Sequence, residues 1–395
     1  MTPLALAWRS TARYRARALL AIVGVAVIGA LLFDMLLLSR GLLVSFADLL
    51  NAEGFDVRIV ATQGFARMPI PDAAPLVDAV RALPGVTDLV AVRAESADVQ
   101  GSRGRRRVTL VGRSPSKSNP WRMIRGESPA AAKGDCDAVV DKGFDAAVGG
   151  DIGTTIRLTA VPASDVALPP IDCRIIGIAD FGFSAAGEHT VATTMHALER
   201  AMGETRSGPA EVILVSTASD ADRAETLRTI RRLRPDVRAY SNADVVEQFN
   251  RNGFAYFRQI SVVLSTLTTA FAFLLVATLL TVSINQRLGE IAALRALGIA
   301  RRRIAGMLFW ESALLVGSGA VAAVPLGAAL AAGLDSLLRQ MPGLPEGLHF
   351  FVFEPRALAV HAAVFATTAA ASAAYPIWLA SRLPIAETLR REVVG

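Results

Sequence analysis

Four apolar blocks constrain this chain more than any other feature of its sequence. They cover residues 18–38, 260–284, 304–332 and 357–379. A helix needs about 20 apolar residues to cross a bilayer, and each block is at least that long. The sequence therefore predicts four membrane-spanning helices. The first block is longer than the apolar core of a signal peptide and continues into Asp34 and Arg40, which favours an uncleaved span.

Arginines indicate which side of the membrane each segment occupies. Residues 1–17, 285–303 and 380–395 together hold twelve arginines and three glutamates. Because cytoplasmic segments carry the excess of Lys and Arg, both termini and the loop 285–303 are predicted to be cytoplasmic. The same arginines account for the net charge of +6, which indicates anionic headgroups as their partners and gives no sign of a nucleic-acid-binding surface.

The long segment between the first two spans has the composition of a water-exposed domain. Near each of its ends a strand, a helix and a second strand follow one another, with helices at 72–83 and 219–233. Asp72 is a candidate N-cap for the first of these helices. The predicted outer α+β domain covers residues 45–250, with a subdomain at about 50–105 and 206–245 and a mostly β insertion at about 106–205.

Both cysteines of the chain, Cys136 and Cys173, lie in the predicted insertion. On an oxidising face of the membrane two cysteines favour a disulfide, and the alternative is two buried free thiols. The four histidines form no ligand cluster in the sequence, so no metal site is predicted.

The sequence lacks the motifs of a catalytic or nucleotide-binding chain. A phosphate-binding loop needs Gly before its Lys, but the three lysines follow Ser, Ala and Asp. A G-x-S-x-G elbow and an H-E-x-x-H helix are also missing from the sequence. We therefore predict no catalytic residue, cofactor or metal in this chain, which is not expected to be an enzyme.

Three ionisable residues in or beside the apolar blocks are candidate functional residues, because charge in a membrane is costly unless it is paired. Asp34 and Arg258 lie at similar depth near the outer ends of the first two spans, which predicts a pair; solvation at the interface is the alternative. Glu311 lies about two turns into the third span. We interpret it as coupling that span to the cytoplasmic loop, with snorkelling or capping as the alternative.

The cytoplasmic loop, NQRLGEIAALRALGIARRR, predicts a short amphipathic helix. Its apolar stripe comprises Ile291, Leu294, Leu297 and Ile299, and Gly298 suits the left-handed position that follows a helix end. Such a helix fits the groove of a partner protein or lies passively on the membrane surface, and spacing alone leaves both open.

The loop also resembles a family signature. The pattern R-x-G-E-I-x-x-L-R-A-L-G, followed by a basic triplet and the Glu of FWESALL, is similar to that of the MacB/FtsX/lipoprotein-release permease superfamily, the type VII ABC transporters. Weaker similarities occur in LALAWRSTARYRARALLAIVGVAV, VGGDIGTTIRL and YPIWLASRLPIAETLR. The residues that match the signature are Arg287, Gly289, Glu290, Ile291, Leu294, Arg295, Ala296, Leu297, Gly298 and Glu311.

The resemblance implies a fold class: an α-helical membrane protein with four transmembrane helices plus a large α+β periplasmic domain between helices 1 and 2. It implies a cytoplasmic amphipathic helix at residues 1–17 and a cytoplasmic tail at 380–395. The loop 285–303 would be a coupling helix that contacts a separate cytoplasmic ATPase, which would bind ATP and Mg²⁺. Two permease subunits would form a homodimer or heterodimer in the bacterial inner membrane.

The function implied is a permease that converts ATP hydrolysis into motion of its periplasmic domain. The chain length and the segment FGFSAAGEHTVATT are similar to DevC-type glycolipid-exporter permeases, which work with a membrane-fusion adaptor and an outer-membrane channel. Export or extraction of a lipid, glycolipid or hydrophobic compound is therefore the favoured function. The alternatives are lipoprotein release and FtsX-like signalling to a cell-wall hydrolase, whose outer domains are usually smaller.

Overall fold

The computed structural model describes most of the chain as two compact units. Its described residues are 7–9, 12–13, 15–62, 69–129, 134–162, 168–204, 208–253, 255–285, 289, 293, 297–341 and 343–382. The helical unit comprises Met1–Leu42, Phe254–Leu338 and His349–Gly395, and the sheet unit comprises Leu43–Gly253 and Arg339–Leu348.

The elements are numbered here in chain order. The helices are α1 (Arg15–Ala52), α2 (Ala73–Arg81), α3 (Phe144–Val148), α4 (Met195–Ala201), α5 (Asp220–Leu233), α6 (Asn242–Gln248), α7 (Ala255–Asn285), α8 (Arg301–Leu338) and α9 (Pro355–Arg382). The strands are β1 (Val57–Ala61), β2 (Val86–Gly101), β3 (Gly104–Arg113), β4 (Arg122–Gly126), β5 (Asp137–Asp141), β6 (Thr155–Ala160), β7 (Ile171–Asp180), β8 (Thr190–Thr194), β9 (Val212–Thr217) and β10 (Val237–Ser241).

Part of the sheet closes into a barrel. The strands run β2-β3-β8-β5-β7-β6 and return to β2, because β6 pairs with both β7 and β2. Strand β2 has 16 residues, which is long enough to serve two sheets. Its residues from Val92 onward pair with β3 in the barrel, whereas Val86–Val92 pair with β9, which continues through β1 to β10.

Each part of the sheet has its own hydrophobic core. Inside the barrel, inward-facing strand residues such as Leu110 and Leu158 pack with α3 and α4 and are fully buried. The second core packs α2 and α5 on the side sheet β10-β1-β9-β2 and includes Ile59 and Ile213. Strand β2 therefore joins what the sequence analysis treats as a subdomain and an insertion.

Two helix starts in the sheet unit follow their local sequence. Ser219 accepts a hydrogen bond from the backbone N–H of Asp222 at 3.2 Å, and Ser241 forms a capping box with Asp244. The prediction that Asp72 caps the helix α2 is wrong. Its backbone is left-handed, with φ of 45°, and in this conformation its side chain accepts no capping hydrogen bond from the first turn of α2.

A disulfide crosslinks two neighbouring strands of the barrel. Cys136, directly before β5, is bonded to Cys173 on β7. The strands are parallel neighbours there, with Asp137 opposite Arg174. Both sulfurs belong to the barrel core. Of the two states that the sequence leaves open, the structure has the paired one.

Three helices among the described residues are long and apolar enough to cross a membrane: Ala18–Ala52, Gln259–Thr278 and Arg302–Leu338. Helix α9 forms over the fourth apolar block, and its role as a fourth span stays a prediction. Helix α8 continues through Pro325 over 38 residues. The cytoplasmic end segments predicted at 1–17 and 380–395 lie largely outside the described residues.

Helix α1 ends at Ala52, well beyond the predicted end of the first span at residue 38. Its residues from Leu43 onward belong to the sheet unit, where Phe46 stacks on Phe249 with ring centroids 4.1 Å apart. The end of the apolar block shows where polar residues begin, but it does not show where the helix ends. The helix persists past it because apolar residues such as Leu50 continue at helical spacing and are buried.

The connection between α8 and α9 is also part of the sheet unit. Residues 339–348, the return segment, form an antiparallel bridge between Pro345 and Ala185. The sequence analysis makes no prediction for this segment. The chain therefore passes between the two units four times.

Removing the disulfide should weaken the barrel. The paired substitution Cys136→Ala and Cys173→Ala should cost about 3–4 kcal/mol of stability, because the bond closes a loop spanning 37 residues. Amide hydrogen exchange of the full-length protein in detergent should then become faster in β5 and β7. Strand β10, which borders the other core, is the internal reference. Equal exchange in the variant and the wild type would contradict the prediction.

Candidate functional site

The described part of the loop 285–303 shows how this loop leads into α8. Leu297 donates its backbone N–H to the carbonyl of Ala293 at 3.0 Å, and its side chain is exposed. Gly298 then takes a left-handed φ of 83°, and α8 begins at Arg301. Most side chains are strained at this φ, so glycine at this position permits the abrupt turn between loop and helix.

The remaining loop residues proposed to couple to an ATPase are only partly described. Gly289 is helical. The other predicted coupling residues, which lie outside the described residues, are Arg287, Glu290, Ile291, Leu294 and Arg295. Their roles stay predictions.

Glu311 is buried on α8, with 5% of its surface exposed. Leu308 and Ser312, its neighbours on the same helix, are buried as well. Snorkelling requires a carboxylate that reaches water or headgroups, so this burial favours the alternative in which Glu311 contacts protein. Its part in coupling stays a prediction.

Asp34 is 1% exposed, and its Oδ1 accepts no hydrogen bond from any residue that the structure describes. A buried carboxylate without a partner is costly, which is the reason for expecting a cation beside it. The side chain of the predicted partner, Arg258, lies outside the described part of the chain. The pair therefore stays a prediction.

Helices α1 and α8 pack closely through small residues. A Cβ added to Gly319 would lie 2.6 Å from Cγ1 of Val25, and one added to Gly327 would lie 3.0 Å from the carbonyl oxygen of Ala30. Small residues allow this approach in a bilayer, where no hydrophobic effect drives two apolar helices together. The contact makes α1 and α8 neighbours at backbone distance.

The spacing of small residues in the sequence indicates this contact, but α8 contains other small residues that are not packed. Gly319, Ala323 and Gly327 are spaced by four residues and thus share one face of α8. Gly317 and Gly333 belong to the same small-residue run, yet a Cβ added to either would meet nothing within 4 Å. Spacing alone does not tell which of these faces is packed.

A groove of about 900 Å³ lies in the helical unit between α1, α7 and α9. Ligand pockets typically have volumes of about 300–1,000 Å³, and the volume of this groove lies in that range. Thr266, Thr269 and Thr367 line it, but each hydroxyl donates to a carbonyl four residues earlier in its own helix, at 2.7–2.9 Å. The groove therefore offers mostly apolar groups, including those of Leu36 and Phe273.

The described residues contain no group of three or more His, Cys, Asp and Glu side chains placed to hold a metal ion.

Two family models match the chain. The MacB-like periplasmic core domain matches residues 18–233, more than half of the sequence, and the FtsX-like permease C-terminal region matches residues 262–385. The chain belongs to the MacB/FtsX permease superfamily. The resemblance in the loop 285–303 is thereby confirmed. The chain is a membrane permease whose FtsX-like region takes in most of α7 to α9 and whose MacB-like region takes in most of the sheet unit.

Solved structures of low similarity accompany the family match. The extracellular domain of the ABC-type transporter YknZ from Gram-positive bacteria is 12% identical, with a TM-score of 0.34, and the match covers 47% of this permease and 98% of that chain. The periplasmic region of MacB from Actinobacillus actinomycetemcomitans is 12% identical, with a TM-score of 0.38 and coverage of 51% and 96%. These scores add nothing to the family assignment. No curated protein sequence matches the permease.

The packing of α1 on α8 can be tested with two neighbouring glycines. Gly319→Leu should destabilise the permease by about 1–3 kcal/mol or more, because the new side chain overlaps Val25. Gly317→Leu is the matched control, since a Cβ there meets open space. The apparent melting temperature in detergent should fall only for Gly319→Leu. Equal melting temperatures would contradict the packing described here.

Proposed function

We propose that this permease is the membrane subunit of an ABC transporter and that it converts ATP hydrolysis by a partner ATPase into motion of its sheet unit. The observation that carries the proposal is the family match, which joins an FtsX-like helical region to a MacB-like outer domain in one chain. MacB/FtsX-type permeases work with a cytoplasmic ABC ATPase. We assign the ATP and Mg²⁺ site to that partner, because none of the three lysines here follows a glycine.

The proposed contact with the ATPase is the loop 285–303. Its signature residues lead into the left-handed turn at Gly298 and from there into α8. A displacement of this loop would be passed to the long helix that follows it. Bacterial inner-membrane insertion with both termini cytoplasmic is part of the proposal and is supported by the arginines of the cytoplasmic segments.

A second permease subunit completes the proposed assembly. Side chains such as Val263, Leu267 and Phe271 are exposed along much of α7, which leaves this face of the helix accessible to a partner helix. An adaptor and an outer-membrane channel are further proposed partners. Pull-down of the tagged permease from native membranes in mild detergent, with mass spectrometry, should recover an ATPase. The absence of any ATPase from such a pull-down would contradict the proposed function.

We further propose that the transported compound is a lipid, a glycolipid or another hydrophobic molecule. The groove between α1, α7 and α9 supports this class, because the hydroxyls of Thr266, Thr269 and Thr367 are already hydrogen-bonded within their helices. A polar solute would meet mostly apolar groups there. An acyl chain or another apolar group needs none.

The coupling role of the loop predicts opposite behaviour for two substitutions at one position. Gly298→Pro fixes φ at about −65°, which excludes the left-handed backbone of Gly298. The substitution should therefore return ATP hydrolysis to the rate of the ATPase alone. Gly298→Asn should retain most of the stimulation, because Asn tolerates the left-handed region. ATPase assays of the purified complex measure both. Undiminished stimulation in Gly298→Pro would contradict the coupling assignment.

The substrate class predicts that bulk in the groove displaces bound lipid. Ala270→Trp should fill part of the groove and lower the amount of lipid that copurifies with the permease, as measured by mass spectrometry. Val321→Trp on α8 is the control, since Val321 is exposed and does not line the groove. Equal lipid content in the two variants would argue against this class of substrate.

A further inference from the structure

The return segment is bound to the sheet unit by backbone pairing. Ala186 donates its N–H to the carbonyl of Leu344 at 3.1 Å, and Glu346 donates its N–H to the carbonyl of Ser184 at 3.0 Å. The two bonds form one step of an antiparallel ladder. They attach the return segment to the loop that joins β7 to β8 in the barrel.

A close approach of two glycines fixes where the return segment lies. A Cβ added to Gly347 would lie 2.7 Å from Cδ2 of Leu49 and 3.0 Å from the carbonyl oxygen of Gly182. A Cβ added to Gly182 would lie 3.2 Å from the same leucine carbon. A larger residue at position 347 would require Leu49 to move and would crowd the carbonyl of Gly182. Leu348, the next residue, is buried.

One of the three lysines of the chain adds an ionic contact at the same place. The Nζ of Lys142 lies 3.0 Å from Oε2 of Glu346 in the return segment and 3.5 Å from Oδ1 of Asp180 at the end of β7. The hydrogen bond to Glu346 raises the pKa of Lys142, so the ammonium stays charged. A partly exposed pair contributes little stability by itself, but it directs Glu346 to the rim of the barrel.

The return segment is the direct continuation of α8. Helix α8 ends at Leu338, and the segment begins at Arg339. The helix has 38 residues, which corresponds to a rod of about 57 Å, and Pro325 does not interrupt it. Its first residue, Arg301, follows closely on the turn at Gly298. A displacement of the first turn along the helix axis therefore reaches the return segment through a stiff element.

We propose that the return segment is an attachment through which α8 moves the sheet unit, in addition to the continuous helix α1, and that it stays docked on the barrel throughout the ATP cycle. This inference rests on the proposed function of the permease. Two backbone hydrogen bonds, a glycine contact and an ion pair tie the segment to the loop that follows β7 and to Lys142, the residue directly after β5. Movement of Arg339 would consequently be transmitted to this rim of the barrel.

The test loosens the attachment and then restores it covalently. Gly347→Val should displace the segment, because its side chain would overlap Leu49 and the Gly182 carbonyl. Ala185→Cys with Pro345→Cys places two thiols at a non-hydrogen-bonded antiparallel pair, where Cα atoms are about 4.5 Å apart and a disulfide can form. The described residues contain no free cysteine, so the new thiols have only each other to pair with.

The readouts are the ATPase rate and the ATP-dependent change in hydrogen exchange across the sheet unit, measured on the full-length permease with its ATPase in lipid nanodiscs. Gly347→Val should keep permease-stimulated ATP hydrolysis but lose the ATP-dependent change. Oxidised Ala185→Cys and Pro345→Cys should restore that change in the Gly347→Val background. Glu346→Gln, which removes the ion pair without adding volume, should give a partial loss.

Arg125→Met is the control, because it removes an exposed ion pair with Asp151 that does not involve the return segment. A full ATP response in Gly347→Val would overturn the inference, and so would a lost response that the crosslink does not restore. A crosslink that by itself blocks the response would show that the segment must undock, which also overturns it. A wild-type complex without any ATP response would instead contradict the proposed function.

Discussion

Backbone hydrogen bonding along β2 holds the sheet unit together. The barrel needs the second half of this strand to pair with β3 and β6, and the side sheet needs its first half to pair with β9. The two hydrophobic cores are therefore coupled through one continuous run of backbone, although each has its own helices. The shared strand gives the barrel and the side sheet a common backbone support.

The helical unit meets a different constraint. Apolar helices in hydrocarbon gain nothing from hiding apolar surface, so their arrangement depends on fit. Gly319 and Gly327 on α8 provide that fit against α1, while the groove beside α7 is left unfilled. The helix whose glycines pack on α1 is also the one that follows the loop signature and continues into the return segment. Close packing and stiffness thus coincide in α8.

Local signals in the sequence were sufficient for several features. Hydropathy located three of the candidate spans, and Gly298 has the left-handed backbone expected for it. Long-range pairings were not accessible in this way: nothing near Thr155 shows that β6 closes on β2, and nothing near Pro345 shows that it faces Ala185. The end of α1 was missed because apolar content, and not helical spacing, marked the boundary. Asp72 failed as a cap because residue type does not determine φ.

The position of the return segment also orders the biogenesis of the protein. All ten strands of the sheet precede α7 in the chain, so the ribosome has made them before the second span emerges. The residues that pair with Ser184 and Ala186 come from beyond α8 and are translated later. The sheet unit can reach its final hydrogen bonding only after α8 and the return segment have been translated. The contact between the barrel and the return segment is therefore the last pairing of the sheet unit that synthesis makes possible.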